Sequence, residues 1–432
     1  MSIPLDRLYH FIDQTARNIY GEPVIIYRFW PHGSKNINDL NPLDPIPITF
    51  VNRLIKPLLW CNDQEPLNYD YYRQNLRILG GKFEFFKSLD MVASITNLAY
   101  QSNIFKKNLL LHSEKRSQDE KKYAAENRLI PVYYWSHALI ARDWFRFAQH
   151  ENFKKNTHNL FLIYNRAWSG TREYRLKFLD MLIENKLTDQ CQTFFNPIDG
   201  GQHYHDYDLV NPAWMPKHRP ERFFQPSLAE SSASADFNSC DYRNTDIEVV
   251  LETLFDDDRL HLTEKTLRPI ACGQPFILAA THGSLQHLRE YGFQTFESVW
   301  DESYDQIQDP YQRMLAIIKV MRDISSWSTQ KRDRNLEQLN QIAKFNQNHF
   351  FSDQFQLLII SELKENLTCA FEQIKTTPGF ERWLSWYEER ITNSALQKFL
   401  DTNQDELFPT RKGYQQVLDY IENYSKESQS NN

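Results

Sequence analysis

At 432 residues the chain is too long for one typical core, so two domains with an appendage are expected. A composition of 41% hydrophobic and 24% charged residues fits a folded globular protein and excludes a disordered or fibrous one. The net charge of −7 excludes strong non-specific nucleic-acid binding by the chain as a whole, though not a local basic cleft. No apolar run reaches the ~18 residues of a membrane-spanning helix, and the first residues lack a basic stretch followed by an apolar one. The five cysteines (61, 191, 240, 272 and 369) form no C-x-x-C pair, which predicts reduced thiols in a cytoplasm.

Short apolar runs predict strands at 24–29, 57–61, 108–112, 131–135, 160–164, 192–195, 248–253, 275–279 and 293–296. Helical periodicity lies between many of them, as at 138–149 and 172–186. Continuous apolar strands alternating with helices predict parallel sheets in doubly wound α/β domains. The stretch 196–246 is rich in Pro, Ser, His, Asn and aromatics and reads as a long loop. From Asp309 the pattern turns helical, broken by charges at 331–333, and 425–432 reads as a disordered tail. Gly80 and Gly81 lack the rest of a phosphate loop.

The segment 247–296 is the best punctuated. A strand at 247–253 leads through a loop to Thr263, a good N-cap for a helix over 264–272. Gly273 fits the left-handed position that ends the helix, and Pro275 blocks its continuation. A second helix starts at Gly283–Ser284, before the strand at 293–296. Ligands of open α/β sheets bind beyond the carboxyl ends of strands, where a helix N-terminus favours a diphosphate. Glu264 in the first turn can accept hydrogen bonds from a ribose diol, while Lys265 and Arg268 can add charge near phosphates. The plainer alternative is a carboxylate that favours the positive helix end, beside two solvated cations.

The wording Leu-Thr-Glu-Lys-Thr at 262–266, then Pro269, Gly273 and Pro-Phe-Ile at 275–277, resembles the donor-binding motif of alpha-1,3-fucosyltransferases. Exostosin-like glycosyltransferases carry a related Glu-Lys helix. The resemblance implies two facing Rossmann-like domains of the GT-B type, with the nucleotide of a sugar donor held mainly by the C-terminal one. It assigns donor binding to Glu252, Thr263, Glu264 and Lys265. A second match, Phe-Leu-Ile-Tyr-Asn-Arg at 161–166, is similar to the family's strand–Asn–loop–Arg–helix motif. There Arg175 has the spacing of the arginine that contacts the diphosphate, and Arg166 and Arg172 compete for the role. A third, Asp63-Gln-Glu-Pro66, resembles an acidic motif whose Glu is the proposed base, which implicates Glu65. The family has Ser-Asn-Cys where this chain has Ile163-Tyr164-Asn165, and Phe-Glu-Asn-Ser where it has Leu251-Glu252-Thr253. The whole chain also looks like uncharacterised proteins of tailed phages and marine bacteria, which implies no further function.

Glu114, after the strand ending at His112, is the rival base, and His112, His137 and Asp143 lie near strand ends. His203, His205 and Asp206 lack a matching partner pair for a metal, and Asp256–Asp258 reads as a polar turn. The aromatics at 135–145 read as core, with Arg142 able to reach a cleft, and Ser169 can cap the helix that carries Arg175.

The expectation is an α/β protein of two Rossmann-like domains. An acceptor domain spans 1–155 and a nucleotide-sugar domain 156–325, followed by a helical region at 326–424 and the tail. Its expected activity is sugar transfer to an acceptor hydroxyl, with inversion, and with no cofactor or metal because cations and helix dipoles can steady the leaving diphosphate. Two alternatives are a glycosyltransferase acting on modified DNA bases and a non-catalytic binding protein on the same fold.

Overall fold

Runs of residues that are apolar on both sides become the strands of two parallel sheets. The computed structural model describes residues 3–21, 24–28, 58–61, 63–67, 108–118, 120–121, 129–151, 153–156, 158–227 and 234–375. The chain forms two compact units. One holds Met1–Asp6, Ser113–Ser117 and Trp135–Ser361; the other holds Arg7–His112, Gln118–Tyr134 and Glu362–Asn432.

The second unit opens with helix α1, Leu5–Tyr20, of which Leu8, Tyr9, Ile12, Ala16 and Tyr20 are buried at helical spacing. Strands β1 (Ile25–Arg28), β2 (Leu58–Cys61), β3 (Asn108–His112) and β4 (Leu129–Tyr133) pair in parallel in chain order. Leu109, Leu110 and Leu111 are buried in succession, as a strand covered on both faces requires.

The first unit carries helix α2 (Ser136–Trp144), strand β5 (Asn159–Asn165), helix α3 (Tyr174–Glu184) and strand β6 (Cys191–Phe195). A small hairpin follows, β7 (Ile198–Asp199) with β8 (Gln202–His203), then β9 (Gln225–Pro226) and helix α4 (Ser239–Asn244). Strand β10 (Thr245–Leu251), helix α5 (Glu264–Ala271), strand β11 (Phe276–Ala279) and helix α6 (Ser284–Glu290) complete the α/β part. The sheet runs β11–β10–β5–β6–β9, all parallel. The chain starts at the centre with β5, winds out through β6 to β9, then returns to the other side of β5 with β10 and β11. The winding therefore reverses between β5 and β10, where an α/β sheet opens a crevice at its carboxyl edge.

Three helices follow: α7 (Pro310–Ser325), α8 (Thr329–Phe351) and α9 (Asp353–Lys375). The interruption falls at residues 326–328 rather than at the charges of 331–333. Those charges lie inside α8, whose start Ser328 caps by accepting from the Lys331 amide. No strand forms at 293–296 either. The backbone there is satisfied by side chains: Gln294 N donates to Asn346 Oδ1, Asn346 Nδ2 donates to Gln294 O, and Phe296 N donates to Glu302 Oε1. An amide that bonds a backbone in both directions replaces the missing neighbour strand. The stretch 196–246 is a loop as expected, and it carries the short elements named above. The expected tail, residues 376–424 of the expected helical region and Gly80–Gly81 lie outside the described residues.

Candidate functional site

The site is built on α5. Its N-cap, Thr263, accepts from the Lys265 amide through its hydroxyl, as its sequence position predicts. At the other end Gly273 takes φ +64°, the left-handed conformation expected of it. The start of α5 is tied to the end of β10 by Glu252, which is wholly buried. One Glu252 oxygen accepts from Thr263 N (2.8 Å), Thr266 N and Thr266 Oγ1; the other accepts from Thr253 N and Thr263 Oγ1. With five donors converging on it, Glu252 is a fastening between strand and helix rather than a ligand-facing group.

Glu264, next in line, is also buried. Oε1 accepts from Lys265 Nζ at 2.6 Å, and Oε2 lies 3.6 Å from His137 Nε2 at the start of α2. Burial pushes the Glu264 carboxyl up, but Lys265 and His137 outweigh it and hold the group well below the usual carboxylate range. The His137 ring meets His261 edge-on at 5.3 Å, and His261 Nδ1 lies 3.2 Å from Ser113 Oγ. Ser113 begins a segment whose Lys115 pairs antiparallel with Leu260, which brings Glu114 to 3.3 Å from Arg259. Among the described residues Glu114 is thus joined to Glu264 only through Ser113, His261 and His137. His261 and Ser113 carried no sequence signal that singled them out. They arrive from positions 148 residues apart, and only the fold joins them.

The arginines divide. Arg268, expected near phosphates, turns away from the strand ends. Its guanidinium pairs with Glu248 at 2.7 Å, bonds Tyr242 Oη and lies over the Tyr164 ring. Glu248 and the two tyrosine hydroxyls overcome burial and raise its pKa further. Arg175 lies in the first turn of α3, as expected, but it is buried and bonded to the carbonyls of Ala167, Leu251 and Glu252. It clamps the two chain segments that leave β5 and β10. Ser169 does not cap α3; its hydroxyl donates to Asp199, which also takes the amides of Trp168 and Ser169. Arg166 stands directly after β5, half-buried, with no hydrogen bond or ion pair to any described residue. Arg172 is half-buried at the end of the same loop. Beside Arg166 the amide of Asn165 is wholly buried, and neither end has a partner among the described residues.

The remaining expectations resolve simply. Glu65 belongs to the other unit, two residues from the buried Asp63, which accepts from Tyr9 and Tyr134. Arg142 does not reach a cleft: it donates to the carbonyls of Phe350, Phe351 and Ser352 and so caps the end of α8. His203, His205 and Asp206 form no metal cluster among the described residues. Asp180, Glu184 and His218 do come together. Yet Lys177 Nζ lies 2.5 Å from Asp180, and Lys217 Nζ lies 3.5 Å from Glu184, so lysines already supply the positive charge. Asp256 holds Asn211 Nδ2 and Trp214 Nε1, while Asp257 pairs with Arg259. The triple acid is therefore a structural turn in its first two members.

No helix among the described residues is long and apolar enough to cross a membrane. No protein-family model matches the chain, and no curated protein matches it. The resemblance to fucosyltransferases and exostosin-like enzymes gains no support from these comparisons. Among solved structures the chain is similar to an alpha,alpha-trehalose 6-phosphate synthase from Burkholderia multivorans. Identity is 11%, over 74% of this chain and 67% of that one, and the TM-score is 0.31. A likeness of that size adds nothing to the reading of the site.

Proposed function

We propose that the chain is a glycosyltransferase that moves a sugar from a nucleotide-sugar donor to an acceptor hydroxyl, inverting at the anomeric carbon and needing no metal. The observation that carries this reading is the buried Glu264, set between Lys265 and His137 at the start of a helix on the carboxyl edge of a parallel sheet. An ionised carboxylate in that place is suited to accept both hydroxyls of a ribose, since it stays an acceptor at every physiological pH. The diphosphate lies towards the β5–β10 reversal, where Arg166 offers an uncommitted planar fork and Lys265 a second charge. Arg175 acts indirectly by holding the loops on either side.

In the transfer the acceptor oxygen forms its bond to the anomeric carbon. The bond from that carbon to the diphosphate breaks, and the electron pair leaves with the phosphate. The hydroxyl proton passes to a carboxylate, for which Glu114 is our choice and Glu65 the rival. Thermal melting against a panel of nucleotide sugars tests the reading. A donor at a hundred times its dissociation constant adds about 2.7 kcal/mol. A panel in which no nucleotide sugar or nucleoside diphosphate raises the melting temperature removes it.

A further inference from the structure

Among the described residues only Arg116 and Lys186 have positive φ without being glycine. Lys186 stands just past the end of α3, where a left-handed residue is routine. Arg116, at φ 60°, has no helix to end. A glycine there would remove the strain, so the arginine is kept for its side chain. That side chain is exposed and reaches the turn after β11: Nη2 donates to His282 O at 2.6 Å, and Nη1 lies 3.1 Å from His282 Nδ1. A guanidinium can only donate, so Nδ1 must accept, which fixes the proton on Nε2 and leaves the imidazole neutral.

No carboxylate pairs with this guanidinium among the described residues. The three that face it are engaged or distant from contact. Asp257 binds Arg259, Asp305 accepts from the amides of Leu285 and Gln286 at the start of α6, and Asp258 lies in solvent 3.6 Å from His282 Nε2. The amides at the start of α6 are thereby spent, and only side chains are left to offer charge.

We propose that Arg116 and His282 form a binding site for a phosphate-type oxyanion on the substrate side of the sheet. Arg116 gives the permanent charge, and His282 is the second donor once its Nδ1 is released and protonated. The site is separate from Arg166, because β10 lies between the strand ends that carry the two. The oxyanion is either a phosphate borne by the acceptor or the far phosphate of the donor.

Phosphorus NMR titration of the full chain with inorganic phosphate tests this. The expected result is saturable binding that weakens about tenfold or more in Arg116→Asn, a residue that tolerates positive φ, with the melting temperature kept or raised. His282→Gln provides a second variant and should weaken binding most well below neutral pH, because burial and the charges of Arg116 and Arg313 hold the His282 pKa below its usual value against Asp258. Phosphate binding that survives saturation with a nucleoside diphosphate assigns the site to the acceptor; competition assigns it to the donor. Absence of binding to the wild type, or equal affinity in both variants, overturns the proposal. Nucleoside-diphosphate affinity, titrated separately, tests the donor reading alone, whereas loss of phosphate binding in Arg116→Asn tests this site whether or not a diphosphate binds elsewhere.

Discussion

Glu252 and Glu264 are both acidic, both buried and both at the start of α5, yet their surroundings give them different work. Glu252 is saturated by donors, so Glu252→Ala should remove the acceptor of three amides and two hydroxyls and cost on the order of 3 kcal/mol, measured by urea unfolding. Glu264 has cations for neighbours, so Glu264→Gln should weaken binding of a free nucleoside diphosphate, read by calorimetry; unchanged affinity removes it from the site. Because its folded pKa is depressed, Glu264 adds stability that is present above the unfolded value of about 4.3 and is lost as pH falls below it. The wild type should therefore begin to lose its advantage over Glu264→Gln as pH falls through about 4.3 and go on losing it at lower pH, and a constant difference across that fall contradicts the ion pairs. The two arginines near β5 give the matching contrast. Arg175→Ala should lower the melting temperature, since the carbonyls of Ala167 and Leu251 lose a donor and the Glu252 carbonyl keeps only Tyr174 Oη. Arg166→Ala should leave melting unchanged and weaken diphosphate binding about tenfold.

Among the elements, the segment at 293–296 shows how a strand signal fails. Phe293 and Thr295 are buried at the spacing of a strand, but the Gln294 backbone bonds Asn346 and the Phe296 amide donates to Glu302. Asn346→Leu should cost about 2 kcal/mol in unfolding free energy, because it removes two part-buried hydrogen bonds to the Gln294 backbone; an unperturbed variant means that water replaces the clamp. Helix α5 behaved as its punctuation predicts, because its cap, its terminating glycine and its flanking strands are local features. Helix α3 was legible in extent but not in its start, since Ser169 gives its hydroxyl to Asp199, which the hairpin of β7 and β8 brings in. A side chain that can cap a helix does so only if nothing stronger reaches it.

For the molecule as a whole, the proposed chemistry places the charge for a leaving diphosphate on Lys265 and Arg166, with no resident ion. Transfer should accordingly survive EDTA, and full loss restored by manganese or magnesium would overturn that part of the reading. The sequence alone determined the parallel strands, their helices and the place of Thr263, Glu264 and Lys265 at a helix start. Each of these depends on burial periodicity or on caps within a few residues. It could not determine which buried charges are already spent. Arg268 and Arg175 read as substrate ligands until Glu248 and three carbonyls are seen to hold them. Nor could it join His137, His261 and Ser113 to Glu264, or leave Arg166 and Asn165 unsatisfied at the reversal between β5 and β10. Strand order and side-chain pairing are settled by contacts between distant segments, and the strength of a charge depends on the partners those contacts bring.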